Sequence, residues 1–210
     1  MIYVTKDYAN IIFVNLKCCY GSFEAVTRAG HLNRFYTLKQ FQASHVIKKI
    51  GQNVKLWCVV RNPYHRFASF YKDKFIYSFT GKFTDGVPHD NLGCQHEMYK
   101  FYPEEKIRNL EFKISDLVDA IKKGYKDQHL EPQTDILKCN IFNKEVTFVK
   151  MEDPNFRQII QNILGVNFPH YNQTNSSNYL SELTPSDRQY IFDMYQKDFD
   201  TFGYSHSDIE

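Results

Sequence analysis

The chain predicts an α/β protein with a central, mainly parallel sheet flanked by helices, on three observations. Apolar, β-rich runs at 11–14 and 56–60 read as fully buried parallel strands. Each runs into a tight turn and then a helical pattern. A third strand pattern at 145–149 is again followed by a helix, and this alternation is the signature of an α/β sheet. In order, Ser22 can cap the helix after the first strand and Gly30 can end it. Residues 37–50 read as a helix with Leu38, Phe41 and His45 on related faces. Asn62 and Pro63 suit the N-cap and first position of the helix after the second strand. The Gly-, Asp-, Thr- and Pro-rich stretch 78–91 reads as a loop. Leu117, Val118 and Ile121 mark a helix over 115–124. Asp153-Pro154 opens a helix whose Phe156, Ile159, Ile160 and Ile163 share a face, closed by Gly165. Thr184-Pro185 opens the last helix, with Asp187 placed to suit its dipole.

Length and composition narrow the class. The 210 residues fit one domain spanning 1–210, and 15 Tyr with 18 Phe can build a sizeable core. The net charge is only +2, which argues against a dedicated nucleic-acid binder. No apolar run approaches the roughly 18 residues of a membrane span. Residues 1–7 lack the regions of a signal peptide, so a cytoplasmic or otherwise soluble protein is expected. Cysteines 18, 19, 58, 94 and 139 are odd in number and form no pair of metal-like pairs, which suits reduced thiols. Asn172 and Asn175 fit the glycosylation pattern and, without an export signal, are taken as chance matches.

Ligands of such sheets gather at the carboxyl ends of the strands, where two turns carry the chemistry. The first presents Lys17, a bend with Gly21, and Ser22 at a helix start. Main-chain N–H groups at a helix N-terminus beside a lysine suit a phosphate or sulfate. It is not a Walker A loop, because its lysine precedes the bend. Alone, an ordinary strand–turn–helix with a solvated lysine is the better account. The second turn places Arg61 at a strand end and Ser69 about two turns into the next helix. A guanidinium holds phosphate oxygens bidentately and a hydroxyl adds a donor. Arg61 as a surface ion-pair partner and Ser69 as a packing residue is the ordinary alternative. Both behind a buried strand, alongside the first loop, are much less common.

This pair of segments resembles the sulfotransferases that use 3′-phosphoadenosine 5′-phosphosulfate (PAPS), most of all the carbohydrate 4-O-sulfating branch of sulfotransferase family 2. The run Arg61-Asn62-Pro63-Tyr64-His65-Arg66-Phe67-Ala68-Ser69-Phe70-Tyr71 follows that branch's pattern. Asp127 to Gln133, Val146 to Glu152, Leu183 to Pro185 and Tyr195 to Tyr204 resemble later segments in the same order. The chain departs at Leu16, where the family has proline, at the bulky Cys18-Cys19-Tyr20, and at Leu130, where it has tryptophan. The resemblance implies a P-loop-like three-layer fold. It also implies a 5′-phosphosulfate loop of Lys17, Cys18, Cys19, Tyr20, Gly21, Ser22 and Phe23, with Arg61 and Ser69 on the 3′-phosphate.

The implied reaction is in-line transfer of a sulfuryl group to a hydroxyl, with positioning and electrostatics dominant by analogy with phosphoryl transfer. Lys17 would offset charge on the bridging oxygen, and no metal is expected. His129, in the family-like segment, is the expected base, and a surface loop histidine is an equally good account of it. His45 is the reserve, with helix packing the stronger alternative. Glu152 suits acceptor binding, histidine orientation or a structural ion pair. Arg66 is expected to brace its loop. The expected acceptor is a glycan hydroxyl. Lys100, Lys106, Arg108, Lys113, Lys122, Lys123 and Lys126 can meet an anionic glycan, though solvated helix faces explain them better. Two rival classes remain: a P-loop-type kinase, which would depend on magnesium, and a non-catalytic nucleotide-binding module, which would bind without transfer.

Overall fold

The computed structural model describes residues 1–77, 92–169 and 177–207. Its strands are β1 (Ile2–Thr5), β2 (Asn10–Val14), β3 (Leu32–Phe35), β4 (Lys55–Val60) and β5 (Val146–Lys150). Its helices are α1 (Tyr20–Arg28), α2 (Leu38–Ala43), α3 (Pro63–Tyr71), α4 (Leu92–Met98), α5 (Glu104–Arg108), α6 (Ile114–Lys122), α7 (Phe156–Leu164), α8 (Ser177–Leu180) and α9 (Pro185–Phe202). The expected loop 78–91 and the asparagines 172 and 175 lie outside the described residues.

The strands form one mixed sheet in the order β3-β1-β2-β4-β5. β2, β4 and β5 run parallel, as their apolar runs predict, while β1 is antiparallel to both its neighbours. Residues 11–14 are fully buried because the sheet is covered on both faces. On one face Tyr3, Ile12, Val14, Val59 and Val149 pack with Phe23 and Val26 of α1 and Ile160 and Ile163 of α7. The alternation of strand side chains sends Ile11, Phe13, Leu56 and Cys58 to the opposite face, and all four are buried there.

The chain gathers into two compact units. The first comprises residues 1–62 and 133–172 and contains the sheet; the second comprises 63–132 and 173–210. The second is helical, and Tyr64, Phe67 and Phe70 of α3 join Leu117 of α6 and Ile191, Tyr195 and Phe199 of α9 in its core. Among the described residues, no helix is long and apolar enough to cross a membrane.

Boundaries shift by a residue or two at the 115–124 helix and the 145–149 strand, and three further points differ from the sequence reading. The 37–50 helix stops at Ala43, because Ser44 is extended and its hydroxyl and N–H both donate to the Phe41 carbonyl, at 2.7 and 3.1 Å. Ser22 is not the cap of α1: its N–H already bonds to the Cys19 carbonyl at 3.1 Å, so Cys19 is the cap and Ser22 lies inside the first turn. The helix expected from Asp153-Pro154 begins at Phe156, after Asn155. Of the predicted stops, Gly165 follows its helix directly with a left-handed φ of 67°, while α1 ends at Arg28 with Ala29 as its cap, one residue ahead of Gly30.

Candidate active site

The first unit's site is built on β2 and β4, adjacent parallel strands whose carboxyl ends carry the two turns. After β2 the chain turns twice through the left-handed region, at Lys17 (φ 69°) and Cys19 (φ 49°). Non-glycine residues there cost of the order of 1–3 kcal/mol each and recur where backbone shape serves a ligand. Here the bends lead directly into α1, whose first N–H groups have no carbonyl a turn behind them within the helix. The Ser22 and Phe23 N–H groups turn back to the Cys19 carbonyl and the Cys18 N–H to the Asn15 carbonyl, so what the turn offers an anion is the bend at Cys19–Gly21 at the positive end of α1.

Arg61 follows β4. Its Nη1 donates to the Lys17 carbonyl at 3.3 Å, so its guanidinium lies against the lysine-bearing bend and links the two turns. Next to it, the Asn62 N–H donates to Oε1 of Glu152 at 2.9 Å, just beyond β5. Glu152 therefore fixes the exit of β4 through a main-chain bond.

Gln133 is the residue that sequence reasoning did not single out. Fully buried, it places Oε1 to accept the Arg61 N–H (2.9 Å) and the Cys18 thiol (3.3 Å), while Nε2 donates to the Arg61 carbonyl (2.7 Å). Its own carbonyl accepts from Asn15 Nδ2 at 3.1 Å. One side chain thus holds both turns at once. The only signal for it was its place at the end of the family-like segment.

His45 belongs to the same unit and is exposed in a turn beyond α2. Its departure from the helix removes the packing role expected from its spacing to Phe41.

Ser69 and His129 belong to the second unit. Ser69 is buried on α3, two turns after Pro63 as expected. His129 lies in a 3₁₀ turn, Gln128–Leu130, capped by Asp127, which accepts the His129 N–H at 2.7 Å. The same oxygen lies 2.5 Å from His129 Nδ1. A carboxylate there holds the ring with Nδ1 protonated, which makes Nε2 its basic nitrogen. Burial works against ionisation of Asp127, but hydrogen bonds from His129 and Cys94 outweigh it and hold the carboxyl at about 2. Phe70 of α3 stacks on the imidazole with centroids 5.7 Å apart.

The turn is braced as expected. Arg66, buried on α3, donates to the carbonyls of His129 (2.8 Å) and Glu131 (2.7 Å), and Tyr195 donates to the Leu130 carbonyl at 2.6 Å. The guanidinium of Arg66 sits 5.0 Å over the Tyr195 ring. Several cations considered for a glycan are instead paired: Lys100 with Glu97, Lys106 with Asp116, Arg108 with Glu104 and Lys123 with Asp119.

Compared with known proteins, residues 22–205 match the sequence model of the Sulfotransferase family, the match beginning just after the Lys17–Gly21 bend. No curated protein and no solved structure matches the chain.

Proposed function

Because this chain belongs to the sulfotransferase family, a family of PAPS-dependent transferases, we propose that it moves a sulfuryl group from PAPS to a carbohydrate hydroxyl, with His129 as base. The reading is carried by one observation: the Arg61 guanidinium bonded to the Lys17 carbonyl, which puts a cation and the bend at the positive end of α1 at neighbouring strand ends. The same reading treats residues 1–210 as a single sulfotransferase domain, since the family match runs through both compact units.

PAPS supplies the activated sulfuryl group, which transfers in line while the nucleotide leaves with the bridging oxygen. Residues 17–23 cradle the 5′ end, and Lys17 offsets the charge growing on that oxygen. Arg61 and Ser69 anchor the 3′-phosphate and so fix the reacting sulfur. His129 takes the acceptor proton at Nε2, and Asp127 holds the ring and stabilises the imidazolium that forms. His45 is the reserve base.

Incubating the protein with labelled PAPS and a panel of glycans and small alcohols tests the acceptor class. Label on a glycan hydroxyl is expected; label only on a small alcohol or a protein tyrosine would overturn the carbohydrate reading. Arg61→Ala is expected to abolish binding of PAP, the desulfated product, by calorimetry. His129→Ala is expected to bind PAP normally without turnover, and full turnover would move the base elsewhere.

A further inference from the structure

Cys94, which has no part in the reading above, meets the Asp127–His129 pair within the second unit. Cys94 Sγ on α4 donates to Oδ2 of Asp127 at 2.9 Å, and His129 Nδ1 lies 2.5 Å from Oδ1 of the same carboxyl. Their three ligand atoms all fall within 4.8 Å of one another. We propose that Cys94, Asp127 and His129 bind a borderline divalent cation of the Zn²⁺ type, and that the bound ion switches off sulfuryl transfer.

The donor chemistry selects the ion. Thiolate, imidazole and carboxylate together suit Zn²⁺, whereas Mg²⁺ and Ca²⁺ take sites built from oxygen alone. Tetrahedral bonds of about 2.0–2.3 Å hold ligand atoms roughly 3.3–3.8 Å apart. The hydrogen-bonded pairs would spread from 2.9 and 2.5 Å, and any pair near the 4.8 Å limit would close, each by about 1 Å. The site is also largely preformed. Arg66 and Tyr195 hold the turn that carries His129, and Phe70 backs its ring. The His129 and Asp127 side chains keep 14% and 10% exposure, so the cluster is not sealed from solvent, and water would be the fourth ligand.

Binding balances in charge. The Cys94 thiol releases its proton to solvent, the Nδ1 proton of His129 moves to Nε2, and thiolate plus carboxylate neutralise the dication. Protonation of Nε2 removes the basic nitrogen on which turnover depends. This inhibition rests on His129 being the base; the binding itself does not.

Co²⁺ serves as the spectroscopic probe. Titrating the full chain should produce a thiolate-to-cobalt band in the near ultraviolet at one equivalent, which Zn²⁺ then abolishes. The band should vanish in Cys94→Ser. On the wild-type protein, Zn²⁺ should shield Cys94 from iodoacetamide at least tenfold more than Cys139, read by peptide mass spectrometry. No band, or a band unchanged in Cys94→Ser together with unshielded Cys94, would overturn the site. In the sulfuryl-transfer assay, Zn²⁺ should inhibit the wild type, and Cys94→Ser should need at least tenfold more for the same inhibition. A Cys94-dependent band without inhibition would support the site and remove His129 as base.

Discussion

Replacing Gln133 by methionine keeps its volume and removes the side-chain bonds to Cys18 and to both main-chain groups of Arg61. The thiol bond from Cys18 is weak, but the Arg61 N–H and carbonyl both lose a partner at distances of 2.9 and 2.7 Å. Depriving a buried donor or acceptor of its partner costs about 1–3 kcal/mol, and because Arg61 is only half-buried the two losses together amount to roughly 2–4 kcal/mol. For a chain of this size that lowers Tm by roughly 4–16 °C, read by circular dichroism. The substitution also frees Arg61 to wander relative to the Lys17 bend, so calorimetric affinity for PAP should fall about tenfold, or about 1.4 kcal/mol. Gln133→Glu is the sharper control: of equal size, it turns an oxygen toward the Arg61 carbonyl where an amide donor stood, and should be at least as damaging. If Gln133→Met melted with the wild type and bound PAP equally well, the idea of a shared clamp on both turns would fail.

Lys17→Gly relieves a left-handed φ while deleting the cation. It should therefore melt no lower than the wild type yet lose sulfuryl transfer; a drop in Tm would show that Lys17 is not strained. Arg66→Lys keeps the charge but cannot fork to two carbonyls. Turnover should fall roughly 10–100-fold as the His129 turn shifts, with PAP affinity unchanged by calorimetry. Thr184→Ala breaks the capping box in which Thr184 and Asp187 exchange main-chain bonds. It should cost about 1 kcal/mol in urea unfolding and leave transfer per folded molecule intact.

Legibility followed burial and locality. β2 and β4 stood out because their residues are buried on both faces and so read as unbroken apolar runs. β1 and β3 were missed for opposite reasons. The first is a four-residue stretch whose polar Thr5 and aromatic Tyr3 dilute the apolar signal. The second buries only Leu32 and carries Asn33 and Arg34 at the sheet edge. Arg61, Ser69 and the bracing Arg66 were visible because one strand–turn–helix holds them all. The Asp127–His129 pair was in principle legible, since an Asp two positions before a residue readily accepts its N–H. The Gln133 clamp was not. Its main partner is the backbone of a residue 72 positions away, which no periodicity or cap pattern reports. Cys94 likewise reaches Asp127 across 33 positions.

The bond between Gln133 and Arg61 also bears on how this chain could diversify. Residues 63–132 leave the sheet-bearing unit immediately after Asn62 and re-enter it at Gln133, so the points of departure and return are pinned to each other. Segments with adjoining ends can be exchanged at little cost to their host. A grafted 63–132 excursion would therefore find its two ends already stitched together, but it would have to bring its own counterparts of Ser69 and His129 and still pack against Tyr195 and Phe199 of α9.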